Sequence, residues 1–200
     1  TNEGNTADTF TLSFADNLWT VDLPVTSIPL AASASDDFLV TVTVPADALA
    51  GDSDSATIIA TSTGDGTQTA EAVVTTTALA VYDIDLSPAT DGMSGNPGDV
   101  VTYTLSLENL GNLADTVTVA ASGNVWGVNL PTTSFNLAVG GTNLVTVEVT
   151  IPGTATEGEF DMVTITATST GGEEVVAELT TTATVVVPNN FYLLPIMLKN

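Results

Sequence analysis

The chain has 200 residues, of which 44% are hydrophobic, so it can build two sandwich-sized domains and is not globally disordered. The 24 Asp and Glu residues outnumber a single Lys and give a formal net charge of −23, which argues against a nucleic-acid partner. Without Cys, His or Arg, the chain has no disulfides, no Cys/His zinc site and no Ser-His-Asp triad.

A tandem repeat organises the sequence. Residues 2–24 read NEGNTADTFTLSFADNLWTVDLP, and residues 109–131 read NLGNLADTVTVAASGNVWGVNLP, so that residue 109 corresponds to residue 2 at an offset of 107. The same offset carries Pro45 onto Pro152 and Gly51 onto Gly158. Repetition at this spacing predicts two copies of one domain.

Apolar and polar residues alternate along most of the chain, which is typical of strands with one buried face. The predicted strands of the first copy carry two sets of apolar residues: Phe10, Leu12 and Phe14, then Phe38, Val40, Val42 and Val44. Those of the second copy carry three sets: Val101, Tyr103, Leu105 and Leu107, then Val145, Val147, Val149 and Ile151, then Val163, Ile165 and Ala167.

Threonines occupy many of the polar positions, and turn sequences such as Asn-Pro-Gly at 96–98 and Gly-Gly at 140–141 separate the strands. We therefore predict an all-β chain of two tandem Ig-like antiparallel β-sandwiches. The predicted domains are an incomplete sandwich at 1–82, a complete sandwich at 83–187 and an apolar C-terminal tail at 188–200.

The second copy resembles a known class of bacterial modules. The run Pro97-Gly98-Asp99, the following VTYTLSLENLGN, Trp126 and the sequence Val-Thr-Ile-Pro at 149–152 carry the likeness. They resemble the Ig-like modules associated with alpha-galactosidases (NPCBM-associated) and the related CARDB-type adhesion modules. The resemblance implies a spacer, surface-layer or adhesion element, and it offers no catalytic residues to carry over. The Thr-rich composition with a single Lys is typical of a processed protein placed outside the cell or on its surface.

The first copy lacks the segment that precedes the repeated motif in the second copy. Ahead of Asn109 lie residues 83–107, with a predicted edge strand near 82–86 and a second strand at 100–107, whereas Thr1 alone precedes Asn2. A sandwich without these two strands exposes a groove and an unpaired strand edge. We expect the groove to be lined by Phe10, Leu12 and Phe14. Either a cut removed the strands, or another chain supplies them.

The tail after Val187 is a candidate donor strand for this groove. It is the most apolar segment of the chain, and it contains the single Lys. The candidate donor residues are Phe191, Tyr192, Leu193, Leu194, Ile196, Met197, Leu198 and Lys199. Pro195 cannot donate to a ladder, so the donor should lie at a sheet edge. A tail of 13 residues supplies one strand at most in place of a 25-residue segment. The tail could instead be the last strand of its own domain, or a flap folded over its own core. It also resembles the short Tyr-Leu-Pro-type C-terminal tails of some secreted bacterial proteins, and this resemblance implies a sorting tag.

Few residues point to chemistry, and we expect no enzyme. Asp83 and Asp85 could bind calcium near the domain junction, although a solvated acidic surface is the preferred explanation for them, and no other cofactor is expected. Trp19 and Trp126 could stack on surface glycans, but their equivalent repeat positions favour structural packing.

Two functions remain open. The first is an extracellular structural subunit that polymerises with copies of itself, head to tail, by strand donation. The second is an accessory spacer, adhesion or carbohydrate-binding region released from a larger secreted hydrolase. The longest apolar run, residues 191–198, is too short to span a membrane.

Overall fold

The computed structural model describes residues 1–184, whose regular structure consists of strands alone. None of these residues forms a helix with the length and hydropathy that a membrane crossing needs. The chain divides into two compact units, the first formed by residues 1–81 and the second beginning at Tyr82.

Unit 1 contains six strands in two sheets. Strands β3, β1, β5 and β6 form an antiparallel four-stranded sheet in that order, and β2 pairs with β4 in a separate two-stranded sheet. The strands are β1 (Asp8–Ala15), β2 (Thr20–Asp22), β3 (Ser27–Leu30), β4 (Thr41–Thr43), β5 (Ser53–Ser62) and β6 (Thr69–Thr77).

In unit 2, residues 82–184 form nine strands in two sheets. One sheet has the order β12-β10-β14-β15-β8, with β8 parallel to β15, and the other has the order β11-β13-β9-β7. The strands are β7 (Ile84–Ser87), β8 (Thr90–Gly95), β9 (Val100–Asn109), β10 (Asp115–Ser122), β11 (Gly127–Asn129), β12 (Ser134–Leu137), β13 (Thr142–Thr150), β14 (Phe160–Thr168) and β15 (Glu174–Ala183).

The alternation seen in the sequence builds the core of unit 2. Tyr103, Leu105 and Leu107 of β9 are fully buried, as are Val145 and Val147 of β13, while the residues between them face outward. One contiguous cluster joins the inner faces of both sheets. The prediction of an all-β, Ig-like sandwich fold is confirmed.

Every strand of unit 1 has a counterpart in unit 2 along the repeat, from β1 with β10 to β6 with β15. The strands β7, β8 and β9 have no counterpart in residues 1–81. Three strands of unit 2 are therefore without an equivalent in residues 1–81, and the expectation of two was wrong. Strand β8, with the sequence TDGMSG, was missed because it has two glycines and no apolar alternation; its pairing with β15 makes it a strand.

The predicted strand from Phe38 to Val44 is also shorter than expected. Only Thr41–Thr43 form β4, whereas the counterpart β13 runs over nine residues. All nine residues of β13 pair with β9, and unit 1 has no such partner among the described residues. A strand needs neighbours for its hydrogen bonds, so the same apolar pattern gives a long strand in one unit and a short one in the other.

Candidate strand-acceptor site

The open feature of unit 1 is the edge of β4. On one side, residues 41–43 pair with β2, and on the other side residues 1–184 provide no partner strand. In unit 2 the corresponding side of β13 is covered first by β9 and then by β7. The backbone at this edge of unit 1 can therefore accept an added strand.

The apolar side chains beside this edge are incompletely covered. Phe38 is 38% exposed and Val44 is 37% exposed, whereas their counterparts Val145 and Ile151 are fully buried in unit 2. Val40 and Val42 are half-buried, while their counterparts Val147 and Val149 are buried. The difference follows the missing strands, because β9 places Val101, Tyr103, Leu105 and Leu107 in the same cluster as these counterparts.

Unit 1 nevertheless keeps the hydrogen-bonded asparagine found at the end of β9 in unit 2. We call such a repeated set of side-chain hydrogen bonds an anchor. The Asn109 side chain donates to the carbonyl of Leu113 at 2.8 Å and accepts from the Gly111 N–H at 2.9 Å. Asn2 repeats this arrangement, with the carbonyl of Thr6 at 2.9 Å and the Gly4 N–H at 2.9 Å. Asn2 is 3% exposed, so it marks the place where a completing strand of β9 type would end.

A second repeated anchor fixes the loop that ends in the tryptophan. The Asp54 carboxylate on β5 accepts the backbone N–H groups of Leu18 at 2.8 Å and Trp19 at 2.7 Å. These hydrogen bonds, led by the one from Trp19, lower the pKa of Asp54 despite its partial desolvation. In unit 2, Asp161 accepts from the N–H of Trp126 at 2.7 Å in the same way.

A third anchor joins β1 to the turn after β5. In unit 1 the Asp8 carboxylate accepts from the Ser62 hydroxyl, and this bond is the main cause of its lowered pKa. In unit 2, desolvation raises the pKa of Asp115, but the hydrogen bonds from Ser169 and Thr170 outweigh it and give a lowered value. Sequence reasoning missed all three anchors, although their recurrence at the offset of 107 could have indicated them.

The predicted groove residues Phe10, Leu12 and Phe14 lie on β1. β1 is paired on both sides, with β3 and β5, so it presents no open edge. Leu12 is buried against Leu23 and Ile28, Phe10 is half-buried and Phe14 is 40% exposed. The open edge belongs instead to β4, because the alternation of side chains identifies a buried face but not the neighbours of a strand.

The donor residues named above, from Phe191 to Lys199, lie outside the described residues. The proposed calcium ligands lie at the start of unit 2. The carbonyl of Asp83 accepts from the N–H groups of Leu110 at 2.8 Å and Gly111 at 3.1 Å, and exposed Asp85 on β7 lies opposite Glu108 on β9. Residues 1–184 contain no group of three or more acidic side chains arranged to hold a metal.

Both tryptophan side chains are buried in the protein rather than exposed to solvent. Trp19 is 9% exposed and Trp126 is 5% exposed, and Trp126 belongs to the main core of unit 2. Burial of both rings leaves no open face on which a sugar could stack.

Comparison with known proteins gives similarity at the level of structure. No family model matches the chain, and no curated protein matches it. The PapD-like domain 7 of human CEP192 is 12% identical over 52% of this chain and 86% of that chain, with a TM-score of 0.42. A family 123 glycoside hydrolase from Clostridium perfringens is 9% identical over 54% of this chain and 28% of that chain, with a TM-score of 0.44.

A chaperone–tip adhesion subunit pre-assembly complex from the archaic chaperone-usher Csu pili of Acinetobacter baumannii is also similar. The identity is 9% over 50% of this chain and 57% of that chain, with a TM-score of 0.39. At these identities the likeness concerns the fold.

Proposed function

We propose that the protein is a non-enzymatic, extracellular structural subunit that assembles with copies of itself by strand donation. Unit 1 is the acceptor, and the donor is the apolar tail at residues 188–200 of another copy. The observation that supports this proposal is the open edge of β4, whose counterpart β13 is covered over its full length.

The physical argument is the cost of leaving this edge in water. Phe38 and Val44 are incompletely covered, and full burial of an apolar side chain of this size contributes about 1.5–3 kcal/mol. A strand laid on β4 would cover them and would pair the backbone of residues 36–43 at the same time. Strand addition of this kind derives its affinity from main-chain hydrogen bonds and its specificity from alternate side chains.

The alternative is an accessory region of a larger secreted hydrolase. In that case, the strands that complete unit 1 belong to chain that precedes residue 1 in the same protein. The Asn2 anchor favours this alternative, because it places residue 2 where β9 ends in unit 2. The two functions differ in whether the completing strand comes from the same molecule or from another.

The decisive experiment compares the 200-residue chain with a version that ends at Val187, by sedimentation and negative-stain microscopy. Strand donation predicts large head-to-tail assemblies for the first and small particles for the second. Free peptide of residues 188–200 should cap the assemblies. Equal size and an equal melting curve for both versions would refute the proposal and leave the accessory region as the better explanation.

A point variant tests the acceptor side. Phe38→Asp places a charge in the edge that the donor would cover, so it should prevent assembly while unit 1 stays folded, since Phe38 already contacts water. Leu18→Asp is the matched control: Leu18 is 90% exposed on the tryptophan loop, and the change should leave assembly intact. Assembly that survives Phe38→Asp would contradict an acceptor at β4.

A further inference from the structure

The pairing of β9 with β13 shows how a donor on β4 must be oriented. Asn109 donates its N–H to the carbonyl of Gly141 at 3.0 Å, and the Ile151 N–H bonds to the carbonyl of Asp99 at 2.9 Å. The odd-numbered residues of β9 therefore form the ladder with β13. The same residues point into the core: Val101, Tyr103, Leu105 and Leu107.

The even-numbered residues of this segment direct their N–H groups to the opposite side. The N–H of Leu110 bonds to the carbonyl of Asp83, which immediately precedes β7. Even-numbered residues of β9 also face away from the core. A donor strand that replaces β9 alone would leave this second side as a free edge, where a missing N–H costs nothing.

Pro195 then decides which face of the donor points inward. A proline among the inward residues would remove an N–H from the ladder with β4, whereas a proline among the outward residues removes one from the free edge. In a donor of this orientation, the outward set would be Leu193, Pro195, Met197 and Lys199. The inward set would be Tyr192, Leu194, Ile196 and Leu198, four apolar side chains for the uncovered side of unit 1.

The position along β4 follows from the anchor and from charge. The Asn2 N–H already bonds to the carbonyl of Ala34 at 2.8 Å, as Asn109 bonds to Gly141, so Thr1 and Asn2 hold the last two positions of a β9-type strand. The donor must therefore occupy the positions of a β9-type strand that precede these two. Asp37 is exposed and corresponds to Leu144, an outward residue of β13 that lies opposite Ser106.

We infer that the tail of one copy docks on β4 of the next with Lys199 opposite Asp37. This register rests on the proposed function and extends it. It places Leu198 beside Phe38, Ile196 beside Val40 and Leu194 beside Val42, with all three pointing inward. The only cation of the chain then meets a carboxylate on the outward face, and Pro195 lies opposite Thr41.

A disulfide trap tests the register, because the natural chain has no cysteine. Lys199 and Asp37 would form a non-hydrogen-bonded pair, whose Cα atoms lie about 4.5 Å apart, which is within the range of a disulfide. Oxidation of the double variant Asp37→Cys with Lys199→Cys should convert assemblies into covalent ladders on a non-reducing gel. The matched control is Thr41→Cys with Lys199→Cys, whose sites would be about 13 Å apart along the strand.

The outcomes separate the two proposals. Cross-linking between copies through position 37 and not position 41 supports the register. Assemblies that cross-link through position 41, or through neither position, overturn the register and leave strand donation standing. A chain that does not assemble, or that cross-links only within one molecule, overturns both.

A charge exchange gives an independent measurement in the 200-residue chain. Asp37→Lys and Lys199→Asp should each weaken assembly about two- to fivefold, and the two changes together should restore it. If the double variant assembles no better than either single variant, the two side chains do not meet.

Discussion

At the scale of single residues, Gly171 is the glycine least able to accept a side chain. A Cβ built there would lie 2.2 Å from Cγ of Tyr82 and 2.6 Å from its Cβ, too close for any real contact. Gly171→Ala must therefore displace the Tyr82 side chain, and we expect a loss of about 1–3 kcal/mol in the free energy of unfolding. Denaturant unfolding followed by tyrosine and tryptophan fluorescence measures it.

Its repeat counterpart provides the control. A Cβ at Gly64 would lie 3.4 Å from the Asp8 carboxylate, an ordinary contact, so Gly64→Ala should change stability by less than about 0.5 kcal/mol. Equal effects at the two positions would mean that the Tyr82 ring does not cover Gly171.

Ser33 carries local backbone strain that unit 2 avoids. Its φ is 59°, in the left-handed region, and its counterpart Gly140 has a φ of 66°. The left-handed conformation costs a non-glycine residue about 1–2 kcal/mol. Glycine avoids this strain but loses more conformational entropy on folding, which offsets the gain in stability by about 0.5–1 kcal/mol. Ser33→Gly should therefore stabilise unit 1 by up to about 1.5 kcal/mol in urea unfolding.

Ser13→Gly is the matched change in a regular strand. Ser13 is exposed in the middle of β1, where glycine has no strain to relieve and should destabilise unit 1 by about 0.5–1 kcal/mol. Stabilisation by both substitutions, or by neither, would contradict the assignment of strain to Ser33.

At the scale of elements, the hydrogen bonds that the Asp54 carboxylate on β5 accepts from the tryptophan loop should weaken in acid. The pKa of Asp54 is lowered in the folded protein, so the carboxylate contributes stability above its unfolded pKa and loses it as the pH falls through the folded value. We expect the melting temperature of unit 1 to fall as the pH drops below about 4. Thermal melts over a pH series measure this.

Asp54→Asn isolates the contribution of the charge. The amide oxygen still accepts a hydrogen bond but does not titrate, so the variant should be less stable near neutral pH, and the difference should narrow in acid. A difference between the two proteins that stays constant over the pH series would show that the Asp54 charge does not stabilise the loop.

At the scale of the whole molecule, the net charge of −23 opposes any assembly of copies. Salt screens this repulsion, and the single Lys–Asp contact proposed above is too small a term to reverse the effect. The assembled fraction should therefore increase as NaCl is raised from about 10 mM to 150 mM, where the screening length falls from about 30 Å to 8 Å. Sedimentation at several salt concentrations measures it, and assemblies that dissolve as salt is added would contradict this balance.

The sequence by itself determined the strands with clear alternation and the correspondence between the two copies. Leu105 and Val145 are buried where the period of two placed them, because side chains of successive residues must point to opposite faces. The tertiary structure alone decided which edge is open and how long each strand becomes. Phe38 and Val40 follow the same pattern as Val145 and Val147, yet they lie outside β4. The length of a strand depends on backbone hydrogen bonds to a neighbouring strand, and the side-chain pattern does not show whether that neighbour is present. The tertiary structure alone also brought Asp54 to Leu18 and Trp19, which precede it in the sequence by 36 and 35 positions.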